Sequence, residues 1–182
     1  MNSFVGRKKE LKQLNLLLKK NSASLVVIKG RRRIGKSRLV QEFGQQLKMF
    51  TFSGVPPTAK TTLKDELHEF GWQLGKALGQ PPFQDNDWND LFLRLASYTR
   101  EGRVLVLLDE ISWMGSKDPQ FLGKLKNAWD LEFKKNPQLI LVLCGSVSSW
   151  IEKNILSSTG FLGRVSLSLT LEELPLFDCN KF

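Results

Sequence analysis

Gly30-Arg31-Arg32-Arg33-Ile34-Gly35-Lys36-Ser37 decides the reading of this chain: it fits the pattern GxxxxGK[ST] without a gap. The apolar run before it, Leu25-Val26-Val27-Ile28, reads as a buried strand, and Arg38-Leu39-Val40-Gln41-Glu42-Phe43 begins a helix after it. Glycines at both ends of the loop let the backbone curl, so that successive N–H groups point into one concavity. The following helix adds its positive N-terminal end, which favours an anion. The loop positions Gly30, Arg33, Ile34, Gly35, Lys36, Ser37 and Arg38 are therefore the candidate nucleotide-binding residues. In such a site Lys36 reaches the β- and γ-phosphates and the Ser37 hydroxyl ligates Mg²⁺.

Outward from the loop, strands and helices alternate. Leu11, Leu14, Leu17 and Leu18 recur at helical spacing, which predicts an amphipathic helix over 7–20. Met49-Phe50-Thr51-Phe52 reads as a second strand, stopped by Ser53-Gly54 and Pro56-Pro57. Helices are predicted over 61–78 and 88–99, then a third strand over 104–108, too uniformly apolar to have a wet face. A helix over 119–134, a fourth strand over 139–143, a short helix near 148–156 and a fifth strand over 165–169 complete the order. Strands apolar throughout and alternating with helices argue for a parallel sheet covered on both faces, a three-layer α/β sandwich.

Four more groups are candidates for the chemistry. The third strand ends in Asp109-Glu110, an acidic pair after an apolar run. At the carboxyl edge of a parallel sheet, where ligands bind, Asp109 would hold Mg²⁺ opposite Ser37, and Glu110 would polarise a water for in-line attack. The fourth strand ends in Cys144-Gly145-Ser146, which puts Ser146 within reach of a γ-phosphate. Gly163-Arg164, just before the fifth strand, presents a guanidinium that could neutralise transferring charge, in cis or from a neighbouring subunit; a solvated arginine is the bland alternative. Near the N-terminus, Phe4-Val5-Gly6-Arg7 either walls one side of an adenine ring or is a hydrophobic staple for the first helix.

Composition bounds the rest. With 182 residues, 41% hydrophobic and 25% charged, the chain reads as one ordinary globular domain. No apolar stretch reaches the roughly 18 residues of a membrane span, and no signal-peptide core follows Met1, so a cytoplasmic protein without a membrane partner is expected. Cys144 and Cys179 suggest neither a disulfide framework nor a metal site, and His68 has no second ligand nearby. The net charge of +9 suits a phosphate pocket and also leaves nucleic acid as a partner through a basic surface.

Taken together, these residues resemble a prokaryotic ATPase family with an AAA-type core, placed in the STAND group of signalling ATPases. The phrase Phe4-Val5-Gly6-Arg7-x-x-Glu10-Leu11, the loop GRRRxGK[ST], the acidic pair, Gly145-Ser146 and Gly163-Arg164 occur in the family's order, from Phe4 to about Leu176. The resemblance implies a five-stranded sheet in the order 5-1-4-3-2, ATP as the nucleotide, and Val5 and Gly6 in the adenine pocket. It also implies a helical lid after the sheet. Because the chain ends at Phe182, residues 1–182 are expected to be the ATPase core without its lid or any C-terminal domain. The function expected is an ATP-binding, Mg²⁺-dependent ATPase acting as a switch, with Lys36, Glu110, Ser146 and Arg164 as its reaction residues, slow in this length of chain. A homo-oligomer is left open as a partner arrangement. The rival readings are a small-molecule P-loop kinase and a nucleic-acid-binding module regulated by nucleotide.

Overall fold

A computed structural model of the chain describes residues 6–174. Five strands, β1 (Ser24–Lys29), β2 (Lys48–Ser53), β3 (Val104–Asp109), β4 (Ile140–Gly145) and β5 (Val165–Thr170), form one sheet in the order β2-β3-β4-β1-β5. Every pairing is parallel. Read from its other edge, this is the expected 5-1-4-3-2. The helices are α1 (Lys8–Leu17), α2 (Lys36–Phe43), α3 (Leu63–Leu78), α4 (Trp88–Ser97), α5 (Ile111–Met114), α6 (Phe121–Leu131) and α7 (Ser148–Ile151).

The layers follow from the two-residue period of a strand. Leu25, Val27, Val106, Leu108, Leu141 and Leu143 point to one face and join Phe70, Leu74, Trp88, Phe92, Phe121 and Leu125 from α3, α4 and α6. Their neighbours Val26, Ile28, Leu105, Leu107, Val142 and Cys144 point to the other face, where Leu14, Leu39, Val40 and Phe43 of α1 and α2 cover them. The central strands β1, β3 and β4 are buried on both faces. The two edge strands correct the expectation of uniformly apolar strands: β2 and β5 alternate between buried and exposed positions, because helices do not cover both faces at the sheet's margins.

Some helix boundaries also differ from the sequence reading. The helix expected over 119–134 stops at Leu131 and tightens into a 3₁₀ turn at Phe133–Lys135. The one expected over 148–156 is a single α turn followed by a π turn over Glu152–Leu156. The short α5 was not expected. Helix α3 starts on a capping box, in which the Thr62 hydroxyl accepts from the Asp65 N–H and the Asp65 carboxylate accepts from the Thr62 N–H. Among the described residues no helix is long and apolar enough to cross a membrane. Cys144 is buried in β4, while Val5 and Cys179 lie outside the described residues.

Parallel strands put all carboxyl ends at one edge of the sheet. The glycine-rich loop leaves β1 there, Asp109 closes β3 there, and Gly145-Ser146 leaves β4 there. The register sets Leu105 against Ile140 and Leu108 against Leu143, so that continuing it puts Glu110 level with Gly145.

Candidate functional site

The loop between β1 and α2 is shaped by its two glycines for different reasons. A side chain at Gly30 would drive a Cβ to 2.6 Å from the Leu171 carbonyl oxygen, which lies against the loop because the Leu171 N–H extends the sheet by donating to Lys29 O. Gly35 has φ 92, and a Cβ there would meet nothing within 4 Å. One glycine permits a close backbone approach; the other faces open space at the start of α2. Gly35 at the N-cap offers no side chain to α2, so among the described residues the helix's first N–H groups have no capping side chain and face outward for a ligand.

Lys36 is buried, and its ammonium donates at 2.8 Å to both Gly30 O and Arg31 O. That holds the charge at the mouth of the loop instead of in solvent. Ser37, one residue on, donates from Oγ to Asp109 Oδ2 at 2.5 Å. This contact joins the start of α2, the helix that follows β1, to the end of β3, although β4 lies between β1 and β3 in the sheet. The other Asp109 oxygen accepts from the Glu110 N–H at 3.0 Å. Glu110 has φ 51, and its Oε2 accepts from Ser146 twice, from the N–H at 3.2 Å and from Oγ at 2.8 Å.

Three non-glycine residues among those described have positive φ: Arg7, Arg33 and Glu110. Arg33 lies in the loop, Glu110 in the acidic pair, and Arg7 contacts the loop through its guanidinium, which donates to Ile34 O. Backbone of this kind costs energy unless its surroundings hold it, and it gathers where ligands bind.

The remaining arginines of the loop are exposed. Arg32 lies over the Trp113 ring, 5.0 Å from its centroid, and Arg31 pairs with Glu173 at 2.9 Å. Arg38 is exposed on the first turn of α2. Gly6 is half-buried immediately before Arg7; Val5 lies outside the described residues.

Arg164 requires a correction. It precedes Val165, which pairs with Leu25 at the start of β1, whereas the loop leaves the far end of that strand. The length of a six-residue strand, about 16 Å or more, separates them. Its guanidinium is also engaged, donating to both oxygens of Asp130 at 2.7–3.1 Å. That contact holds the Asp130 carboxyl far below the usual carboxylate range. Arg164 therefore lies far from the glycine-rich loop of its own chain, engaged with Asp130.

The sequence reading passed over three contacts at the site. These are the Arg7 guanidinium on the loop, Trp113 beneath Arg32, and the Lys29–Glu152 ion pair tying the end of β1 to the π turn. Only Arg7 carried a sequence signal, as part of the Gly6-Arg7-x-x-Glu10 phrase. Burial pushes the Cys144 thiol up, with the Asp109 and Glu110 charges adding to the effect, which leaves it protonated and inert behind the acidic pair.

The donors fit a magnesium ion. Ser37 Oγ and an Asp109 oxygen already meet, and both are hard oxygen ligands. No group of three or more His, Cys, Asp or Glu side chains gathers among the described residues. A cation that keeps several waters and takes phosphate oxygens needs no more protein than this.

Comparison with known proteins gives the family and matching folds. Residues 4–176 match the family described as an ATPase domain predominantly from Archaea. An uncharacterised protein of Methanocaldococcus jannaschii is 25% identical over 179 residues, which is 98% of this chain and 38% of that protein. Among solved structures, a Walker-type ATPase of Pyrococcus abyssi superposes with a TM-score of 0.68 at 19% identity, over 96% of this chain and 55% of that one. The ORC2 protein of Aeropyrum pernix, solved as ADPNP–ADP complexes, superposes with a TM-score of 0.59 at 16% identity, over 94% and 50%. The chain thus spans about two fifths of that curated relative and about half of these neighbours.

Proposed function

We propose that this chain, which belongs to the family of ATPase domains found predominantly in Archaea, binds ATP with Mg²⁺ at the β1–α2 loop, hydrolyses it, and works as a nucleotide-driven switch. The observation that carries the reading is the contact of Ser37 with Asp109, made beside a buried Lys36 whose ammonium caps the loop. The pieces of a phosphoryl-transfer site, drawn from different strands, meet at one edge of the sheet.

In this reading the N–H groups of the loop and of the first turn of α2, from Gly30 to Arg38, hold the phosphates, and Lys36 supplies a fixed positive charge. Ser37 and Asp109 would hold the metal, which when bound neutralises charge between the outer phosphates. Glu110 takes a proton from the attacking water. Its carboxylate rests on Ser146, so a γ-phosphate that draws the Ser146 hydroxyl away would free Glu110 and link occupancy to the state of the base. Gly6 and Val5 would flank the adenine; the nucleotide named for the Aeropyrum pernix protein supports adenine by analogy of fold.

Turnover of Mg²⁺-ATP by the wild type and by Glu110→Gln tests the assignment. The variant should bind ATP within about threefold of the wild type while hydrolysis falls roughly 10²- to 10⁴-fold. Hydrolysis undiminished in the variant would remove Glu110 as the base.

A further inference from the structure

We infer that Arg7 is a positioning residue for the phosphate loop: by holding the Ile34 carbonyl, its guanidinium turns the Gly35 N–H into the phosphate cradle. The inference rests on the nucleotide reading above and adds to it a residue outside the loop that sets the loop's donors.

One peptide plane links Ile34 to Gly35. The carbonyl of Ile34 and the N–H of Gly35 belong to the same planar trans unit, so they point in opposite directions. Arg7 Nη2 donates to Ile34 O at 3.3 Å, which anchors that carbonyl on the Arg7 side. The N–H of Gly35 must then point away from the guanidinium, and in the nucleotide reading it is one of the loop's phosphate donors. A peptide ending in glycine turns over more easily than most. Reversed, it would present a carbonyl oxygen to an anion and withdraw a donor. A clamp on the carbonyl side prevents that reversal before any ligand arrives, and preformed donors of this kind bind developing or fixed negative charge best.

Arg7 is itself held for the task. Its side chain is only 8% exposed, and Nη1 pairs with Glu10 at 3.3 Å, one turn along α1. Nη2 also donates to Glu172 O at 2.5 Å, in the segment that leaves β5. Its backbone sits at φ 56, a conformation that a non-glycine residue adopts at a cost. The planar guanidinium reaches carbonyls of two distant segments from one side chain, a geometry that a lysine ammonium does not reproduce. The loop and the chain leaving the sheet therefore share one latch.

A second role for Arg7, contact with the adenine, makes a different prediction, so three probes separate the two. Calorimetric titrations of the whole chain with Mg²⁺-ATP, with Mg²⁺-pyrophosphate and with adenosine would be run on the wild type, Arg7→Ala and Arg7→Lys. Arg7→Ala should weaken ATP and pyrophosphate alike, by about tenfold or more, the loss expected for a charged hydrogen-bond donor. Adenosine should change by less than about twofold, and Arg7→Lys should recover only part of the loss. Pyrophosphate affinity unchanged in Arg7→Ala, or an adenosine loss as large as the ATP loss, would overturn the inference while leaving the nucleotide site standing. A wild type that binds neither ATP nor pyrophosphate would instead remove the nucleotide reading, and this inference with it. Should Arg7→Ala not fold, Glu10→Gln loosens the same guanidinium from its partner. It should weaken pyrophosphate about two- to threefold and spare adenosine; equal effects on both probes would again overturn the proposal.

Discussion

The two glycines of the phosphate loop should fail in opposite ways when each is changed to alanine. At Gly30 the new Cβ would lie 2.6 Å from Leu171 O and 3.3 Å from Leu171 Cβ. The first obstacle is backbone, held by the hydrogen bond from the Leu171 N–H to Lys29 O at 2.8 Å. Relief requires the loop and the end of β5 to part by several tenths of an ångström. Overpacking of this kind costs about 1–3 kcal/mol, and the left-handed φ of Gly30 adds about 1–2 kcal/mol for an L side chain. Against a stability of about 5–15 kcal/mol, Gly30→Ala should fold but unfold markedly earlier in urea. At Gly35 the space is open, so only the conformational strain of about 1–2 kcal/mol applies. The methyl would, however, stand where the phosphate is proposed to sit. Urea unfolding and Mg²⁺-ATP titration on both variants give the readout: Gly30→Ala should show the larger stability loss and Gly35→Ala the larger affinity loss relative to its stability change. If Gly35→Ala binds nucleotide like the wild type, the open space in front of that residue is not the phosphate site.

Two shorter predictions concern charge. Because Arg164 depresses the folded pKa of Asp130, this pair stabilises the fold above the unfolded carboxyl's pKa, near 4, and the contribution fades as pH falls below it. Asp130→Asn should therefore lower the unfolding free energy by about 1 kcal/mol at pH 7, with the gap beginning to narrow below pH 4 and closing only as pH nears the depressed folded value; a gap that stays constant on acidification would contradict the assignment. Chelation of magnesium with EDTA should weaken ATP binding to the wild type by about tenfold and affect Asp109→Asn much less. An equal EDTA effect on both proteins would mean that Asp109 is not a metal ligand.

Much of the sheet was legible in the sequence because three of its strands are buried on both faces. A run such as Val104-Leu105-Val106-Leu107-Leu108 has no other easy home, and the glycine-rich loop marked the first strand and the helix after it. The edge strands were found by their apolar residues, but their alternation was read less well. Lys48, Thr51 and Ser53 in β2 report an open margin that only the strand order reveals. The four residues of α5 are too few to show a helical period, and with them went Trp113 and its stacking on Arg32. Arg164 was misplaced for a physical reason. It lies at the amino end of its strand, and in a parallel sheet that is the edge away from the ligand. The register of β3 against β4, which only the structure supplies, sets Glu110 level with Gly145 and so next to Ser146. The reach of Arg7 to Ile34 O depends on side-chain direction, which spacing alone does not encode.

The whole account depends on a grip on the phosphates of a nucleotide by the loop and the ammonium of residue 36. Titration of Mg²⁺-ATP into the wild type and into Lys36→Ala measures that grip directly. The account predicts clear binding by the wild type and a loss of about ten- to a hundredfold in the variant, the worth of one charged hydrogen-bonding group. Equal affinities in the two proteins would contradict it.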